Sequence, residues 1–555
     1  MPKSKRPVLV ADFETTVDPS DVRVWAVCAV NVDSLLVDFL GNSIESFFEY
    51  LQDKNTVVYF HNLKFDGEFI LHYLLTHGFK YSEEPVNRSF STLITDDGIF
   101  YSITVIFEKI GKSYKKVTIY DSLKKLPFKV SKIAEAFKLP DRKLEIDYEA
   151  PRETGHVLTD EERQYIINDC KIVAEALKIQ FAQGLKKMTN ASDALNGYKT
   201  IISKNQFDRL FPVLPVELDT DLRRSYKGGF VYLNPKYRNK RGLKGIALDV
   251  NSLYPSVMHD RLLPYGYPMF FEGKPEENQT YPLYIVRIQC MFELKPGHLP
   301  TIQLKNNRAF VETEYLSSSN GDMVQMTLTN VDLQLFLDHY NVYNLDYICG
   351  YRFKGAVGLF SEYIDHWMQI KENSTGAIRQ LAKLMLNSLY GKFATNPKAR
   401  KKIPVLDSDN IVRYVLDEPE LRDPVYTAMG CFITAYAREK TIRSGQKVFD
   451  RFIYADTDSL HLIGDELPEG LEIHQTHLGA WKHEGTFTDS KFLRAKTYME
   501  TVDGVTKVTC AGMPDNVKET VTYENFKPGA VFDGKLMPKR YPGGIILEKR
   551  TFTIK

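Results

Sequence analysis

The sequence lacks paired cysteines, long apolar runs and an excess of charge of either sign. Its six cysteines are far apart and include no C-x-x-C pair, which argues against a zinc site or a disulfide framework and indicates reduced thiols in a cytosolic protein. No apolar run approaches the roughly 20 residues that span a bilayer, and residues 1–10 do not form a secretory signal. We therefore expect no membrane partner. The formal net charge is +1, so any nucleic-acid binding must depend on local basic clusters such as 398–402 and 535–540.

What is present is the composition of a large globular protein. The 555 residues are 43% hydrophobic and 26% charged, enough for roughly three to four domains. Alternating strand and helix patterns predict a mixed α/β domain over residues 1–186. Residues 261–358 show short strands and turns without long helical periodicity, whereas 361–393 predict a helical hairpin. A strand pattern resumes through Cys431–Ile433, and a turn at Pro542–Gly544 predicts a final hairpin.

Tyr454-Ala455-Asp456-Thr457-Asp458-Ser459 places two carboxylates one residue apart. In an extended segment, Asp456 and Asp458 share a face, and at about 4 Å they would repel by about 4 kcal/mol at an effective dielectric near 20. A shared proton, a nearby Lys or Arg, or a divalent cation would offset that repulsion. Oxygen-only ligands suit Mg²⁺ or Mn²⁺. The alternative is a solvated Asp-rich turn.

A second set of acids lies in the N-terminal region. Asp12 and Glu14 share a face of one strand, Asp66 follows another strand, and Asp169 shares a helical face with Tyr165. Four acids from three elements could hold two cations that act on a phosphodiester. Tyr165 could orient a water molecule, and Lys143 could neutralise phosphate charge. The alternative is a set of scattered surface acids.

Asp249 ends a strand and opens a segment in which Pro255 follows Tyr254. Proline biases the preceding residue towards an extended conformation, so we expect the Tyr254 ring to point in a fixed direction. Beside a metal site, this ring could stack on a sugar and exclude an extra hydroxyl; the alternative is a packed core aromatic.

The helix that follows Gly376 supplies positive charge. Arg379, Lys383, Asn387 and Tyr390 recur at helical spacing on one face, an arrangement that can hold a triphosphate and stack a base. The alternative is a solvated helix face. Two weaker signals are a cation and an aromatic on one predicted strand face, Lys496-Thr497-Tyr498, and a flexible loop, Tyr226-Lys227-Gly228-Gly229.

Taken together, these segments resemble the family B DNA polymerases, and within them the protein-primed polymerases of small Bacillus phages, the phi29 type. The resemblance covers essentially the whole chain. The segments around Asp12–Thr16, Asn62–Asp66 and Tyr165–Asp169 resemble the three exonuclease motifs. Those at 249–256, 383–391 and 454–459 resemble polymerase motifs A, B and C, whereas 226–229 and 496–498 resemble the linking loop and the K-x-Y motif. Arg379 occupies a position that the family usually fills with Lys, and Ala455 replaces a bulkier residue.

The resemblance implies a multidomain α/β and α+β fold: an RNase H-like 3′–5′ exonuclease domain followed by a right-hand polymerase with two family-specific inserts. The implied boundaries are 1–186 for the exonuclease domain, 187–260 and 424–513 for the palm, 261–358 for insert 1, 359–394 for the fingers, 395–423 for insert 2, and 514–555 for the thumb. Insert 1 would hold the terminal protein and DNA, and insert 2 would support processive strand displacement.

The resemblance also implies a role for each candidate residue. The exonuclease metals would be bound by Asp12, Glu14, Asp66 and Asp169, with Tyr165 and Lys143 assisting hydrolysis. The polymerase metals would be bound by Asp249, Asp458 and the Val250 backbone carbonyl, with Asp456 beside them. The incoming nucleotide would contact Tyr254, Tyr390, Lys371, Arg379, Lys383 and Asn387. DNA would contact Thr15, His61, Asn62, Phe65, Ser122, Leu123, Ser252, Tyr226, Gly228, Gly229, Lys496 and Tyr498.

The implied activity is DNA-directed DNA synthesis on a linear phage genome, primed by a terminal protein, with strand displacement and proofreading. Two Mg²⁺ ions per active site, replaceable by Mn²⁺, and dNTPs with template and primer DNA are the expected cofactors and partners. We expect a monomer in the cytoplasm of the bacterial host. The alternatives are a family B polymerase with conventional nucleic-acid priming and a non-catalytic single-strand DNA-binding protein.

Overall fold

The computed structural model describes residues 6–111, 113–303 and 313–555. The start of the segment considered as a secretory signal, at 1–5, and part of the expected insert 1, at 304–312, lie outside these ranges. Within them, no helix combines the length and the apolar character needed to cross a membrane. All six cysteines are free thiols.

The N-terminal part of the chain builds an eight-stranded sheet with helices packed on it. Its strand order is β3-β2-β1-β4-β8-β7-β6-β5, and β4 runs parallel to both β1 and β8. The predicted mixture of strands and helices is confirmed, and the boundary at residue 186 stays a prediction. The elements are β1 (Val8–Thr15), β2 (Val24–Asn31), β3 (Val37–Gly41), α1 (Ile44–Leu51), β4 (Thr56–Phe60), α2 (Leu63–Thr76), β5 (Lys80–Tyr81), β6 (Ser89–Ile94), β7 (Phe100–Ile110), β8 (Ser113–Asp121), α3 (Val130–Phe137) and α4 (Asp160–Ala182).

Local chemistry explains how this part begins and ends its helices. Helix α4 starts with a complete capping box, in which the side chains of Thr159 and Glu162 each accept from the other's backbone amide. Because β1 and β4 are parallel neighbours, their carboxyl ends lie at the same edge of the sheet. That edge carries Asp12 and Glu14 on β1 and leads into α2 after β4.

A seven-stranded antiparallel sheet, β23-β22-β21-β10-β20-β19-β9, and a four-stranded sheet, β11-β14-β12-β13, form the middle of the molecule. The first elements of this region are α5 (Asn190–Ile202), α6 (Lys204–Leu210), α7 (Val216–Arg223), β9 (Val231–Leu233), β10 (Gly245–Val250), α8 (Leu253–Asp260), β11 (Leu263–Glu272), β12 (Leu283–Leu294), β13 (Val324–Thr329), α9 (Asn330–His339) and β14 (Tyr340–Ala356). The expectation of short strands over 261–358 was wrong for β14, and a short helix, α9, also lies in this range. Strand β14 has 17 residues and α9 has 10.

The remaining elements comprise the helical hairpin, three small two-stranded sheets, a long central helix and the last five strands of the seven-stranded sheet. They are α10 (Ser361–Asn373), α11 (Gly376–Ser388), α12 (Tyr390–Phe393), β15 (Lys398–Ala399), β16 (Lys402–Leu406), β17 (Val412–Leu416), β18 (Glu420–Leu421), α13 (Thr427–Lys447), β19 (Phe452–Asp456), β20 (Ser459–Ile463), β21 (Trp481–Arg494), β22 (Thr497–Val502), β23 (Val505–Cys510), α14 (Asp515–Lys518), β24 (Val531–Tyr541) and β25 (Gly544–Thr553). The hairpins predicted around 373–376 and 542–544 are confirmed.

The strand predicted through Cys431–Ile433 was wrong, because these residues lie in helix α13. Every residue from Thr427 to Arg438 is buried, so the helix is surrounded by protein over its first three turns. A helix buried on all sides has no polar face and therefore shows no helical periodicity in its sequence.

Candidate active sites

The first candidate site collects the four N-terminal acids in one cavity of about 330 Å³. Asp12 and Glu14 come from β1, Asp66 from the first turn of α2, and Asp169 from α4, which packs on β1 and β2. The predicted residues His61, Asn62, Phe65, Lys143 and Tyr165 also line this cavity. The sequence prediction that these residues meet is therefore confirmed, and their roles stay predictions.

The carboxylates of this cavity destabilise one another's charged forms. Burial, together with the charge of Asp169, raises the pKa of Asp12 to about 7. Burial and the neighbouring acids also raise the pKa of Glu14 and of Asp66. Lys143 forms an ion pair with Asp169 and donates a hydrogen bond to the Tyr165 hydroxyl at 3.1 Å. One lysine is too little positive charge for four acids, so the cavity attracts protons or cations.

The donor set fits a hard divalent cation. Asp66 Oδ1 and Asp169 Oδ1 are buried and accept no hydrogen bond from the described residues. Buried oxygens without a donor are suited to a cation that takes oxygen ligands. Across residues 6–111, 113–303 and 313–555, no three His, Cys, Asp or Glu side chains already converge as a ligand set. Lys143 forms an ion pair with Asp169, so a cation bound to the Asp169 carboxylate would compete with this lysine.

Three of the predicted DNA-contact residues lie behind the cavity or beside it. Ser122 is fully buried, and its hydroxyl contacts His61 Nδ1 at 2.9 Å while His61 Nε2 lies 2.7 Å from the Phe128 carbonyl. Ser122 therefore orients His61 from behind. Leu123 and Thr15 are half-buried and do not line the cavity.

Tyr148 and Leu547 are among the lining residues of the cavity that sequence reasoning missed. The Tyr148 hydroxyl forms a hydrogen bond with the Tyr165 hydroxyl. An aromatic residue five positions after Lys143 could have been noticed as a candidate. Nothing local marks Leu547, which arrives on β25 from the far end of the chain.

The second candidate site is built at the centre of the seven-stranded sheet. Asp249 lies on β10, opposite Ser459 of β20, and the turn between β19 and β20 carries Asp456 and Asp458. The expectation of an extended segment was wrong. Thr457 has a φ of 59°, so the chain reverses between the two acids, and Asp458 lies in the turn while Asp456 ends β19.

Two of the three carboxylates repel each other, whereas the third forms an ion pair with a lysine. Burial and the charge of Asp458 raise the pKa of Asp249 to about 7. Burial also raises the pKa of Asp458. Asp456 instead accepts from Lys496 Nζ with both carboxylate oxygens, each at 2.9 Å. Asp249 and Asp458 therefore repel each other, and the nearby charge of Lys482 offsets this repulsion only in part.

Backbone contacts from three directions hold the acidic turn. The Thr457 amide donates to the Phe230 carbonyl at 2.7 Å, and the Val250 amide donates to the Asp458 carbonyl at 2.8 Å. Thr441 on α13 donates its hydroxyl to the Thr457 carbonyl at 2.6 Å. These bonds tie the turn to the loop before β9, to β10 and to α13.

The 226–229 loop lies against the acidic turn. The Arg438 guanidinium, fully buried on α13, donates to the carbonyls of Lys227 and Gly228 at 2.8 Å and forms a bidentate ion pair with Asp332 of α9. The loop that the sequence predicts to be flexible is thus held in place by the buried Arg438 guanidinium.

Two predicted nucleotide-pocket tyrosines meet as expected. The rings of Tyr254 and Tyr390 stack with centroids 4.1 Å apart and an interplanar angle of 17°. The expected extended conformation of Tyr254 was wrong, because Tyr254 and Pro255 lie in the first turn of α8, where proline needs no hydrogen-bond donor. Ser252 precedes this helix with a φ of 54°.

The predicted cations gather beside the tyrosines. Lys371 Nζ donates to Ser252 Oγ at 3.1 Å, and Arg379 donates to the Lys371 carbonyl. Burial, followed by the charges of Arg379 and Lys383, lowers the pKa of Lys371. Asn387 is exposed on the last turn of the same helix, α11. This cationic group matches what a triphosphate requires.

The K-x-Y segment closes the site on its other side. Lys496 lies in the turn before β22, with a φ of 54°, so the expected shared strand face for Lys496 and Tyr498 was wrong. Its amide donates to the Tyr454 hydroxyl at 2.9 Å. Tyr498 stacks on Phe492 at 5.2 Å and contacts the Tyr454 ring.

Similarity to known proteins identifies the class of enzyme to which this chain belongs. A family model described as "DNA polymerase type B, organellar and viral" matches residues 49–157 and 145–472. Among curated proteins, the chain is 47% identical to the DNA polymerases of Bacillus phages B103 and phi29, over 99% of this chain and at least 99% of each relative. It is 36% identical to the DNA polymerase of Streptococcus phage Cp-1, over 98% of both chains.

Solved structures agree with these relatives. The fold superposes on phi29 DNA polymerase complexed with primer-template DNA with a TM-score of 0.96, and on the ternary complex with incoming nucleotide substrates with 0.94; both are 46% identical over 99% of this chain. The chain is therefore a DNA-directed DNA polymerase with a multidomain α/β fold. It belongs to the protein-primed family B polymerases of the phi29 type.

Proposed function

We propose that this polymerase copies a linear phage genome from a terminal-protein primer, displaces the strand ahead of it, and proofreads with a 3′–5′ exonuclease. The observation that carries the proposal is the presence of two separate acid sites, each with its own lysine. Asp12, Asp66 and Asp169 line one cavity beside the eight-stranded sheet, and Asp249 and Asp458 lie together at the seven-stranded sheet.

The domain assignment follows the expected boundaries. The exonuclease domain spans 1–186, the palm 187–260 and 424–513, the fingers 359–394 and the thumb 514–555, with inserts at 261–358 and 395–423. The eight-stranded sheet falls within the first segment, and all seven strands of the sheet that carries Asp249 fall within the two palm segments, which supports this division.

At the synthesis site, we assign nucleotide binding to the cationic group beside the stacked tyrosines. Lys371, Arg379 and Lys383 bind the triphosphate, with Asn387 near its edge, and Tyr254 and Tyr390 form the pocket in which Tyr254 excludes ribonucleotides. When bound, two divalent cations, Mg²⁺ or Mn²⁺, would supply activation of the attacking hydroxyl and stabilisation of the leaving oxygen. Asp249, Asp458 and the Val250 carbonyl would hold them.

Around the same site, the remaining residues act on DNA. Lys496 and Tyr498 steady the primer strand, and Ser252, Tyr226, Gly228 and Gly229 contact the template and primer. Lys496 donates two hydrogen bonds to the Asp456 carboxylate. A primer phosphate would therefore share the charge of Lys496 with that carboxylate.

At the exonuclease site, Asp12, Glu14, Asp66 and Asp169 would hold two further cations. Tyr165 orients the attacking water, and Lys143, which already contacts Tyr165 and Asp169, neutralises the scissile phosphate. Asn62, Phe65 and His61 grip the single-stranded 3′ end within the cavity, supported by Ser122, Leu123 and Thr15.

The proposed partners are inferred from the ligands of the related phi29 polymerase. The phi29 polymerase has been solved with single-stranded DNA, with primer-template DNA and with incoming nucleotides. We propose that this chain binds the same ligands, together with a terminal protein, and works as a monomer in the host cytoplasm.

Separate inactivation of the two sites tests the assignment. Asp458→Ala should abolish primer extension and spare degradation of single-stranded DNA, whereas Asp12→Ala with Asp66→Ala should do the reverse. Primer extension by Asp458→Ala at the parent rate would overturn the synthesis site. Loss of both activities in every folded variant would overturn the separation into two sites.

Priming and strand displacement need their own assays. Incubation with the cognate terminal protein, labelled dATP and Mn²⁺ should yield a nucleotide–protein adduct; an enzyme that extends DNA primers but forms no adduct uses conventional priming. On a nicked circular template, long products without a helicase are expected, and arrest at the first duplex would contradict strand displacement.

A further inference from the structure

Two hairpins from the distant C-terminal half complete the core of the N-terminal domain. Val412 of β17 and Ile545 of β25 are buried in the same apolar cluster as Phe69 and Ile70 of α2. Helix α2 carries Asp66. Residues from the far end of the chain therefore help to pack the helix that supplies this carboxylate.

The turn between β24 and β25 lies extremely close to this domain. A Cβ added to Gly543 would stand 2.0 Å from the Val22 carbonyl oxygen, and one added to Gly544 would stand 2.4 Å from the Phe69 ring. Only glycine permits such an approach at both positions. The contact is therefore a fitted interface.

An ion pair between a buried carboxylate and an arginine that is 33% exposed lies at this interface. The Glu68 side chain is only 1% exposed, and its Oε1 accepts from Arg540 Nε and Nη2 of β24, each at 2.8 Å. The Arg540 guanidinium stacks over the Tyr414 ring of β17 at 4.8 Å. Burial and the charge of Glu68 raise the pKa of Tyr414. One cation thus joins three segments that lie far apart in the sequence.

Glu68 and Asp66 point to opposite sides of the same helix. Two residues along an α-helix correspond to about 200°, so the face that bears Glu68 is turned away from the face that bears Asp66. Asp66 lines the acidic cavity, whereas Glu68 is held by Arg540. The Asp121 carboxylate holds the start of α2 through the amides of Asn62 and Leu63. A displacement of Glu68 would therefore also displace Asp66, because both residues lie on one short stretch of helix α2.

We propose that Arg540 is a positioning residue for the exonuclease site: by neutralising Glu68 it fixes helix α2 and thereby the place of Asp66 in the cavity. This inference rests on the exonuclease activity proposed above. A buried carboxylate without its partner is strongly unfavourable, so Glu68 without Arg540 would turn towards water and tilt α2. Tyr414 packs its ring against the Arg540 guanidinium and brings its hydroxyl near Glu68.

Arg540→Gln tests this arrangement on single-stranded DNA, which bypasses transfer of a primer between the two sites. We expect kcat of degradation to fall by about tenfold or more with KM nearly unchanged, because a small displacement of a catalytic group is costly. Primer extension should stay within about twofold of the parent, a variation smaller than that produced by the loss of a single catalytic contact.

The double variant Glu68→Gln with Arg540→Gln removes both charges and should recover most of the lost rate, since replacement of both partners avoids the buried unpaired carboxylate. The matched control is Arg550→Gln on the neighbouring strand β25, an arginine whose side chain is 59% exposed in its ion pair with Glu548. This control should leave both activities unchanged. If Arg540→Gln does not fold, Arg540→Lys carries the test: it keeps the charge but loses the paired contact of Nε and Nη2 with Glu68, so a smaller fall in kcat is expected.

The failures can be told apart. A parent enzyme that does not degrade single-stranded DNA overturns the proposed exonuclease. If the parent degrades single-stranded DNA and folded Arg540→Gln, or Arg540→Lys in its place, degrades it at the parent kcat, only the positioning role is overturned. A defect limited to primer-template DNA also overturns that role, because it would place the effect in primer transfer.

Discussion

Gly229 lies against Thr457 so closely that a Cβ at position 229 would stand 2.4 Å from Thr457 Oγ1. Thr457 cannot retreat easily, since its amide is bonded to the Phe230 carbonyl and its carbonyl to Thr441. The loop at 226–229 and the turn that carries Asp456 and Asp458 are therefore one packed unit.

Gly229→Ala should consequently displace the acidic turn. We expect the rate of nucleotide incorporation to fall by about tenfold or more, as for other small displacements of reacting groups. The matched control is Gly228→Ala, because a Cβ at 228 meets no atom within 4 Å. Single-turnover incorporation measures the effect, and equal rates for the two variants would contradict this packing argument.

Asp456 and Asp458 should differ strongly in what their loss costs. Asp458→Asn removes one of the two mutually repelling carboxylates, and we expect incorporation to fall on the order of 10³-fold, as for loss of a main transition-state stabiliser. Asp456→Asn breaks an ion pair with Lys496 whose lysine side chain is 55% exposed. Such pairs contribute only about 0–1 kcal/mol, so a loss of about tenfold or less is expected.

Incorporation rates at saturating dNTP and metal measure this difference. Asp465→Asn, on the exposed segment just after β20, serves as the neutral control. If Asp456→Asn proved as damaging as Asp458→Asn, then Asp456 would have a direct role and the Lys496 contact would be secondary.

The sequence allowed both acid sites to be predicted, because paired acids at the ends of strands keep a recognisable spacing. It did not reveal the reversal at Thr457, whose left-handed conformation is held by contacts with Phe230 and Thr441. Nor could it reveal Arg540, since 472 positions separate this residue from Glu68. The buried helix α13 was mistaken for a strand because burial on all sides removes the periodic pattern.

The carboxylate sites also predict how stability depends on pH in the absence of metal. Folding raises the pKa of Asp12 and of Asp249 from the ordinary 3.8 to about 7. The folded form then binds more protons than the unfolded form between these values, so this contribution to stability is complete below about pH 4 and is lost as pH rises through about 7.

In EDTA, the Tm should therefore fall between pH 5.5 and pH 8, and Asp12→Asn should flatten this dependence by removing a titrating group. Adding Mg²⁺ should raise the Tm more at pH 8 than at pH 5.5, because the cation binds the ionised carboxylates. Asp409→Asn, at an exposed loop position, is the control and should keep the parent slope. A parent slope retained in Asp12→Asn would show that other groups cause the pH dependence.

The stack of Tyr254 on Tyr390 should decide how well the enzyme rejects ribonucleotides. With ring centroids 4.1 Å apart, Tyr390 limits how far the Tyr254 ring can move away from an incoming sugar. Tyr254→Val opens that space, and we expect the ratio of kcat/KM for dNTP over rNTP to fall by about 10²-fold, about 3 kcal/mol of discrimination. Tyr254→Phe keeps the ring and should preserve the ratio, which separates bulk from the hydroxyl. If both variants relaxed discrimination equally, the Tyr254 hydroxyl, rather than the stacked ring, would be the group that senses the sugar.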